Sequence, residues 1–138
     1  MYLLSLFLFV YKGGSVEIKL KKNEVILKQG DKDSKYMYIV IDGELMVTKN
    51  VEGSEIICEK LKKGDIFGEV SMILNKERAA TIKASSDSVI LKSMDKNDFL
   101  SEIKRNTDLA WRLLTKFAEQ TEKFDNLRSQ FMNMSKIL

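Results

Sequence analysis

The sequence predicts a mainly β domain followed by helices, and three observations support this fold class. From Val16 to about Met94, short apolar runs are separated by Gly, Asp, Asn and Lys, which is typical of an all-β barrel or sandwich. After Asp95 the apolar residues recur at helical spacing. The length of 138 residues suits one domain with its own core and is too short for two ordinary domains. We therefore expect a β-barrel domain over residues 15–106 and an appended helix over residues 107–138.

Residues 1–14 form an apolar N-terminal segment. The run from Met1 to Val10 is about half the length that a helix needs to cross a bilayer. No basic residue precedes this run, and Tyr11 to Gly14 is a poor cleavage site for a secretory signal. We expect a short element that packs on the domain or on a partner, in a cytoplasmic protein. The alternatives are a peripheral membrane contact and an artefact of start-site choice.

The strands of the β domain are predicted from the apolar runs and from the turns between them. The predicted strands are Val16 to Leu20, Glu24 to Leu27, Lys35 to Asp42, Glu44 to Asn50, Ser54 to Leu61, Thr81 to Ala84 and Ser88 to Ser93. Gly30, Gly43 and Gly64 lie between these runs. Each glycine suits a tight turn with positive φ, which glycine adopts without strain.

Two helices are predicted after the strands. Asp95 is expected to cap a helix over Lys96 to Lys104, and a longer helix is expected from about Thr107 towards the C-terminus. Along the longer helix, residues recur alternately three and four positions apart, as in a heptad seam: Ala110, Leu113, Phe117, Gln120, Phe124, Leu127, Phe131, Met134 and Leu138. The seam continues past the length that a small barrel covers. This favours a parallel homodimer through residues 107–138 over a monomeric helix that buries its stripe on its own barrel.

Composition excludes several classes of function. The 23 Lys and Arg only slightly exceed the 20 Asp and Glu and are scattered along the chain, which indicates a solvated surface and not a nucleic-acid site. There is no histidine, and the single cysteine, Cys58, is expected as a small core or edge residue of a strand. The usual ligand sets for structural zinc, iron–sulfur clusters and histidine-ligated haem are therefore missing. No Ser or Cys has an evident base partner, so we expect no enzyme activity and no metal or haem cofactor.

The strand pattern is interrupted between Gly68 and Ala80. Within this stretch, Glu69 to Leu74 is predicted to form one or two helical turns that begin just after a glycine. Gly68 would let the backbone come close to a ligand, and the amides near Glu69 and Val70 would donate hydrogen bonds to an anion.

Two residues of opposite charge in this stretch suit the two parts of a ribose cyclic phosphate. Arg78 supplies a charge on a planar fork that addresses two phosphate oxygens, and the small Ala79 leaves room for its own amide. Glu69 would accept a hydrogen bond from a ribose hydroxyl, which a site built only of cations does not explain. The alternative is a Glu69–Arg78 salt bridge near a helix start. A salt bridge does not explain why position 68 is glycine or why the small pair Ala79-Ala80 follows the arginine.

Several motifs occur together in a recognisable order. They are Gln29-Gly30-Asp31, Tyr36 to Val40, Asp42-Gly43-Glu44, Lys63-Gly64-Asp65, Phe67-Gly68-Glu69-Val70-Ser71 and Arg78-Ala79-Ala80-Thr81. The last two motifs resemble the phosphate-binding cassette of the cyclic nucleotide-binding domain family, and the others resemble the turn and strand markers that precede it. The resemblance covers about Val16 to Leu127.

This resemblance implies a fold, a ligand and a set of binding residues. The fold is a jelly-roll barrel, a double-stranded β-helix, with flanking helices. Glu69 is expected to bind the ribose 2′-hydroxyl of a cyclic mononucleotide and Arg78 its cyclic phosphate. The other cassette residues expected at the ligand are Phe67, Gly68, Val70, Ser71, Ala79 and Ala80. Family members with threonine or serine after the arginine often bond the guanine amino group, which Ala79 cannot do, so cyclic AMP is favoured over cyclic GMP as the effector.

The long helix resembles the dimerisation helix of catabolite activator protein-like sensors, notably in Gln120-Thr121-Glu122-Lys123 and Asn126-Leu127. The resemblance implies that Gln120 or Thr121 contacts the base, and the alternative is that Gln120 only fixes the register of the dimer. Those sensors continue into a helix-turn-helix, whereas this sequence stops at Leu138. We therefore expect no direct DNA binding and an unknown effector protein as the responder. Two alternatives remain: the sensor part of a transcription regulator without its DNA-binding domain, and an interaction protein that has kept the fold and lost the ligand.

Overall fold

The computed structural model describes residues 9–10 and 15–137, in two compact units whose boundary lies between Leu100 and Ser101. In chain order the described strands are β1 (Phe9–Val10), β2 (Val16–Lys21), β3 (Val25–Leu27), β4 (Met37–Asp42), β5 (Leu45–Val51), β6 (Ser54–Leu61), β7 (Ile66–Phe67), β8 (Thr81–Ala84) and β9 (Ser88–Met94). The described helices are α1 (Glu69–Leu74), α2 (Lys96–Arg105) and α3 (Asp108–Ile137).

Two antiparallel sheets form the β domain. One has the strand order β1-β2-β9-β4-β7 and the other the order β3-β8-β5-β6. Neighbouring strands are often distant in sequence: β2 pairs with β9 along its full length, from Val16↔Ser93 to Lys21↔Ser88. These long-range pairings are those of a jelly roll, so the predicted fold class is confirmed. The described strands form two open sheets, where the sequence predicted one barrel.

Buried apolar side chains from both sheets form one core cluster. Its members are Ile18, Leu20, Leu27, Tyr38, Val40, Leu45, Leu61, Phe67, Ile82, Ala84, Val89 and Leu91. In β2 and β9 the core residues are two positions apart, because alternate side chains of a strand face the same side of the sheet. The core therefore fixes the register in which β2 and β9 pair.

The strands predicted from the apolar runs are all present, with ends that differ from the prediction by at most two residues. The prediction missed β1 and β7, because a strand of two residues shows no alternation. The missed β7 pairs with β4 at Tyr38↔Phe67 and Ile39↔Ile66, next to the predicted cassette. Cys58 is exposed on β6, an outer strand of the second sheet, so of its two predicted positions the edge is observed and the core is not.

Glycine is required at the turn between β4 and β5. Gly43 has a φ of 89°, in the left-handed region that favours glycine. A Cβ there would lie 2.4 Å from the carbonyl oxygen of Ser88 and 2.9 Å from the Cα of Val89. Both are backbone atoms of β9, so neither contact is relieved by a side-chain rotation. The predicted turn at Gly43 is therefore confirmed, and its close packing is an additional reason for the glycine.

Helix α1 has the bounds predicted from the sequence. It begins after Gly68 (φ 75°) and ends at Asn75, which is also left-handed (φ 52°). The N–H of Lys76 donates a hydrogen bond of 3.0 Å to the carbonyl of Ser71 and closes the last turn. Left-handed residues at both ends thus confine α1 to six residues between β7 and β8.

Helix α2 begins after Asp95, the residue that the sequence predicted as its cap, and Asp98 forms a reciprocal pair of hydrogen bonds with Asp95. The N–H of Asp98 donates to Oδ1 of Asp95 (2.8 Å), and the N–H of Asp95 donates to Oδ2 of Asp98 (3.1 Å). Helix α3 begins where the N–H of Asp108 donates to Oδ1 of Asn106 (2.9 Å).

Within the described part of the chain, no helix combines the length and apolarity needed to cross a membrane.

The predicted seam on α3 changes in exposure along the helix. Leu113 is buried, but every residue from 118 to 136 is exposed. The exposed stretch includes Phe124, Leu127 and Phe131, whose exposed fractions are 65%, 65% and 73%. The last seam position, Leu138, lies outside the described residues. So does the segment 1–14, except that the backbone of Phe9–Val10 pairs with β2.

Candidate functional site

Arg78 lies at the centre of the candidate site, in the connection between α1 and β8. Its N–H donates to the carbonyl of Asp31, and its carbonyl accepts from the N–H of Gly30, both at 2.8 Å. The adjacent Gln29 N–H donates to Oγ1 of Thr81 at 3.0 Å. The turn formed by residues 29–31 therefore holds the backbone on both sides of Arg78, which is the structural role of the predicted Gln-Gly-Asp motif.

The side chain of Arg78 is buried, with an exposed fraction of 3%. Nη1 donates to the carbonyl of Gly68 (2.9 Å) and to Oγ of Ser71 (2.7 Å), and Nη2 donates to the carbonyl of Tyr36 (2.7 Å). All three acceptors are neutral oxygens.

The guanidinium of Arg78 retains donors that its protein contacts do not use. Arginine has five N–H groups, one on Nε and two on each Nη. Nη1 uses both of its N–H groups and Nη2 uses one. The buried Nε has no hydrogen-bond partner within the described structure. Because buried polar groups are normally paired, an unpaired Nε beside a second donor on Nη2 fits an anionic ligand.

Burial also affects the ionisation of Arg78. Removal from solvent lowers the pKa of the guanidinium, while Tyr38, Asp33, Asp31 and Glu69 act in the opposite direction. Arginine starts from a pKa so high that the group keeps its proton near neutral pH. The site therefore holds a permanent positive charge among neutral acceptors.

Gly68 is the residue that allows the backbone to approach this guanidinium. Its φ of 75° lies in the left-handed region, and a Cβ there would lie 3.0 Å from Nη1 of Arg78 and 3.3 Å from the carbonyl oxygen of Tyr36. The sequence predicted a close approach of Gly68 to a ligand. In the structure, Arg78 and Tyr36 occupy the space next to it, so the glycine is also needed to position the arginine.

An aromatic pair lies beside the arginine. The rings of Tyr38 and Phe67 stack with centroids 5.1 Å apart and an interplanar angle of 19°. Burial raises the pKa of Tyr38 to about 12, and the charge of Arg78 acts in the opposite direction. Sequence reasoning missed Tyr38 as a neighbour of the site, because β4 begins with a continuous apolar run, Met37 to Ile41, whose pattern does not show which side chains face the site.

The structure brings together the eight predicted site residues that belong to the cassette. Phe67 ends β7, Gly68 precedes α1, Glu69 to Ser71 begin α1, and Arg78 to Ala80 lead into β8. Glu69 and Ser71 are buried, with exposed fractions of 3% and 8%. By contrast, Val70 and Ala79 are exposed and Ala80 is half-buried.

The two predicted base-contacting residues lie in the C-terminal unit. Gln120 and Thr121 are exposed on α3, and Oγ1 of Thr121 donates to the carbonyl of Phe117 at 2.8 Å. Their contact with a base stays a prediction.

Among the residues that the structure describes, no three Cys, Asp or Glu side chains are grouped as metal ligands would be.

Comparison with known proteins identifies relatives of this chain. The model of a family described as "Cyclic nucleotide-binding domain" matches residues 17–106. The chain is 35% identical over 72 residues to a cAMP-dependent protein kinase regulatory subunit of Mycosarcoma maydis, covering 51% of this chain and 14% of that protein. It is 36% identical over 85 residues to a cGMP-dependent protein kinase of Eimeria tenella, covering 62% of this chain and 8% of that protein.

The structure is also similar to the crystal structure of the Thermus thermophilus Catabolite Activator Protein. The TM-score is 0.70 at 26% sequence identity, covering 79% of this chain and 51% of that chain. The chain spans only a small part of the two kinase-related proteins, 14% and 8% of their lengths.

Proposed function

Because the chain belongs to the cyclic nucleotide-binding domain family, we propose that its site binds cyclic AMP as a regulatory effector. The observation that carries this proposal is the buried guanidinium of Arg78, whose Nε has no hydrogen-bond partner among residues 9–10 and 15–137. A cyclic phosphodiester carries one negative charge and two exocyclic oxygens, which match one guanidinium with two remaining donors. The free-energy cost of burying a cation is lowest when the cation is paired with an anion.

Glu69 is the proposed partner of the ribose. Its side chain is buried one residue after Gly68, whose carbonyl accepts a hydrogen bond from Arg78. A carboxylate in this position accepts hydrogen bonds from hydroxyl groups and repels the phosphate. Glu69 and Arg78 therefore bind opposite ends of a ribose cyclic phosphate in the proposed complex.

Ala79 supports cyclic AMP over cyclic GMP. Its methyl side chain has no hydroxyl to accept a hydrogen bond from the guanine amino group. Relatives named for each nucleotide exist, a cAMP-dependent regulatory subunit and a cGMP-dependent kinase. The preference for adenine is therefore proposed from the residue that follows Arg78.

The exposed face of α3 supports a homodimer. Phe124, Leu127, Phe131 and Met134 are spaced as a heptad seam, and each is more than half exposed. A second copy of α3 would cover this seam. We propose that ligand binding is transmitted through residues 107–138 to an effector protein, with Gln120 or Thr121 contacting the base.

Calorimetric titration of the protein with three nucleotides tests the ligand assignment. We expect saturable binding of cyclic AMP, weaker binding of cyclic GMP, and no binding of 5′-AMP, whose open phosphate carries a second charge. Equal affinities for cyclic AMP and cyclic GMP would contradict the nucleotide preference that is proposed from Ala79. Absence of binding to either cyclic nucleotide would contradict the proposed function and favour an interaction protein that has kept the fold alone.

A further inference from the structure

Ser71 lies on the inner face of α1 and contacts the guanidinium of Arg78 directly. Its Oγ accepts a hydrogen bond of 2.7 Å from Nη1, and the same hydroxyl is 3.5 Å from the carbonyl oxygen of Gly68, to which it donates. Both side chains are buried, with exposed fractions of 8% for Ser71 and 3% for Arg78. The contact is therefore shielded from water.

The hydroxyl of Ser71 determines which donors of Arg78 remain available. Nη1 has two N–H groups, one of which bonds Gly68 and the other Ser71. If the hydroxyl were absent, one N–H of Nη1 would be buried without an acceptor, which is costly for a charged donor. Because the guanidinium is planar and rigid, a rotation that satisfied this N–H would move Nε and Nη2 as well.

We infer that Ser71 is a positioning residue, whose hydroxyl fixes Nη1 of Arg78 so that Nε and Nη2 donate to the cyclic phosphate. This inference rests on the proposed function and adds a role for Ser71 that acts through Arg78. Binding of the phosphate in this arrangement breaks none of the three hydrogen bonds that Arg78 already makes. The arginine is thus preorganised, and less free energy is lost on binding.

A double-mutant cycle tests whether Ser71 acts through the guanidinium. Cyclic AMP is titrated into the wild type, Ser71→Ala, Arg78→Lys and the double variant. We expect Ser71→Ala to weaken binding about tenfold when Arg78 is present, which corresponds to about 1.4 kcal/mol. In the Arg78→Lys background the same change should have little effect, because lysine lacks the planar fork. An equal loss in both backgrounds would overturn the inference.

A matched control distinguishes this effect from damage to the helix. Ile73 lies on the same helix and is half exposed. Ile73→Ala should leave the affinity for cyclic AMP within about twofold of the wild type, a change smaller than one net hydrogen bond. If Ile73→Ala weakens binding as much as Ser71→Ala, the loss reflects α1 as a whole and the inference fails.

A measurement on the free protein separates this inference from the proposed function. In NMR spectra of the wild type, the Nη1 protons of Arg78 should exchange slowly with water, because both are hydrogen-bonded and buried. In Ser71→Ala this protection should be lost. Unchanged protection would overturn the inference whatever the titration shows. Loss of protection in a protein that binds no cyclic nucleotide would support the positioning role and contradict the proposed function.

Discussion

Position 68 requires glycine for two reasons, its backbone conformation and the lack of space for a side chain. Its left-handed φ strains any L side chain, and an added Cβ would lie 3.0 Å from Nη1 of Arg78. The same glycine supplies the carbonyl that holds this nitrogen. A side chain at position 68 would therefore displace the arginine that the site depends on.

We expect Gly68→Ala to lower both stability and affinity for cyclic AMP. The strain alone should cost about 1 to 2 kcal/mol of the free energy of unfolding. Gly53 is a matched control, because it has a φ of 85° and nothing within 4 Å of an added Cβ. Gly53→Ala should lower the denaturation midpoint without changing the affinity measured by titration. Equal affinities for the two variants would show that the contact with Arg78 has no role in binding.

Sequence reasoning found the charged residues of the cassette but not their protein partners. Arg78 and Glu69 could be predicted, because chemistry and spacing within one contiguous stretch identify them. The acceptor for Nη2 is the backbone carbonyl of Tyr36, 42 residues away. A backbone carbonyl has no residue-type signature, so this contact depends on the tertiary structure.

At the scale of elements, prediction succeeded where a pattern was long or clearly interrupted. Helix α1 was predicted with its observed bounds, because the strand pattern is interrupted between Gly68 and Ala80 and the apolar run inside this stretch begins just after a glycine. Strand β7 was missed because two residues carry no period. Its position follows from pairing with β4, a long-range contact that the local sequence does not encode.

The dimer prediction belongs to α3. Phe124→Glu places a charge on the exposed seam, so we expect sedimentation to change from dimer to monomer at micromolar protein concentration. Ser129 is exposed and lies off the seam, so Ser129→Glu adds the same charge and should leave the dimer intact. A wild-type protein that sediments as a monomer, with or without cyclic AMP, would refute self-pairing through this helix.

For the whole molecule, the buried Tyr38 links stability to pH. Its folded pKa is about 12, above the usual 10.0, because burial disfavours the phenolate. The folded protein therefore binds the proton more tightly than the unfolded chain does. The resulting stabilisation is complete below pH 10 and is lost as the pH rises to about 12.

Comparison of the wild type with Tyr38→Phe measures this linkage. Between pH 9 and about 12, the wild type should lose about 2 to 3 kcal/mol more of its free energy of unfolding than the variant. Chemical denaturation at a series of pH values gives this difference. Parallel pH profiles for the two proteins would indicate that Tyr38 is not buried as described.

The jelly roll brings the turn at residues 29–31, the carbonyl of Tyr36 and the cassette together around one arginine. The family and the fold explain why these segments meet. The central claim is that Arg78 binds the phosphate of a cyclic nucleotide.

Calorimetric titration of cyclic AMP into the wild type, Arg78→Ala and Arg105→Ala tests this claim most directly. Arg105 is the control, because its side chain is exposed on α2 and pairs with Glu102. We expect Arg78→Ala to weaken binding by about 2 to 5 kcal/mol, and Arg105→Ala to bind as the wild type does. The affinity of Arg78→Lys, which keeps the charge, should lie between those of Arg78→Ala and the wild type. If Arg78→Ala is poorly folded, Arg78→Lys replaces it in the test. Equal affinities of the wild type and a folded Arg78→Ala would contradict the assignment of Arg78 to the phosphate.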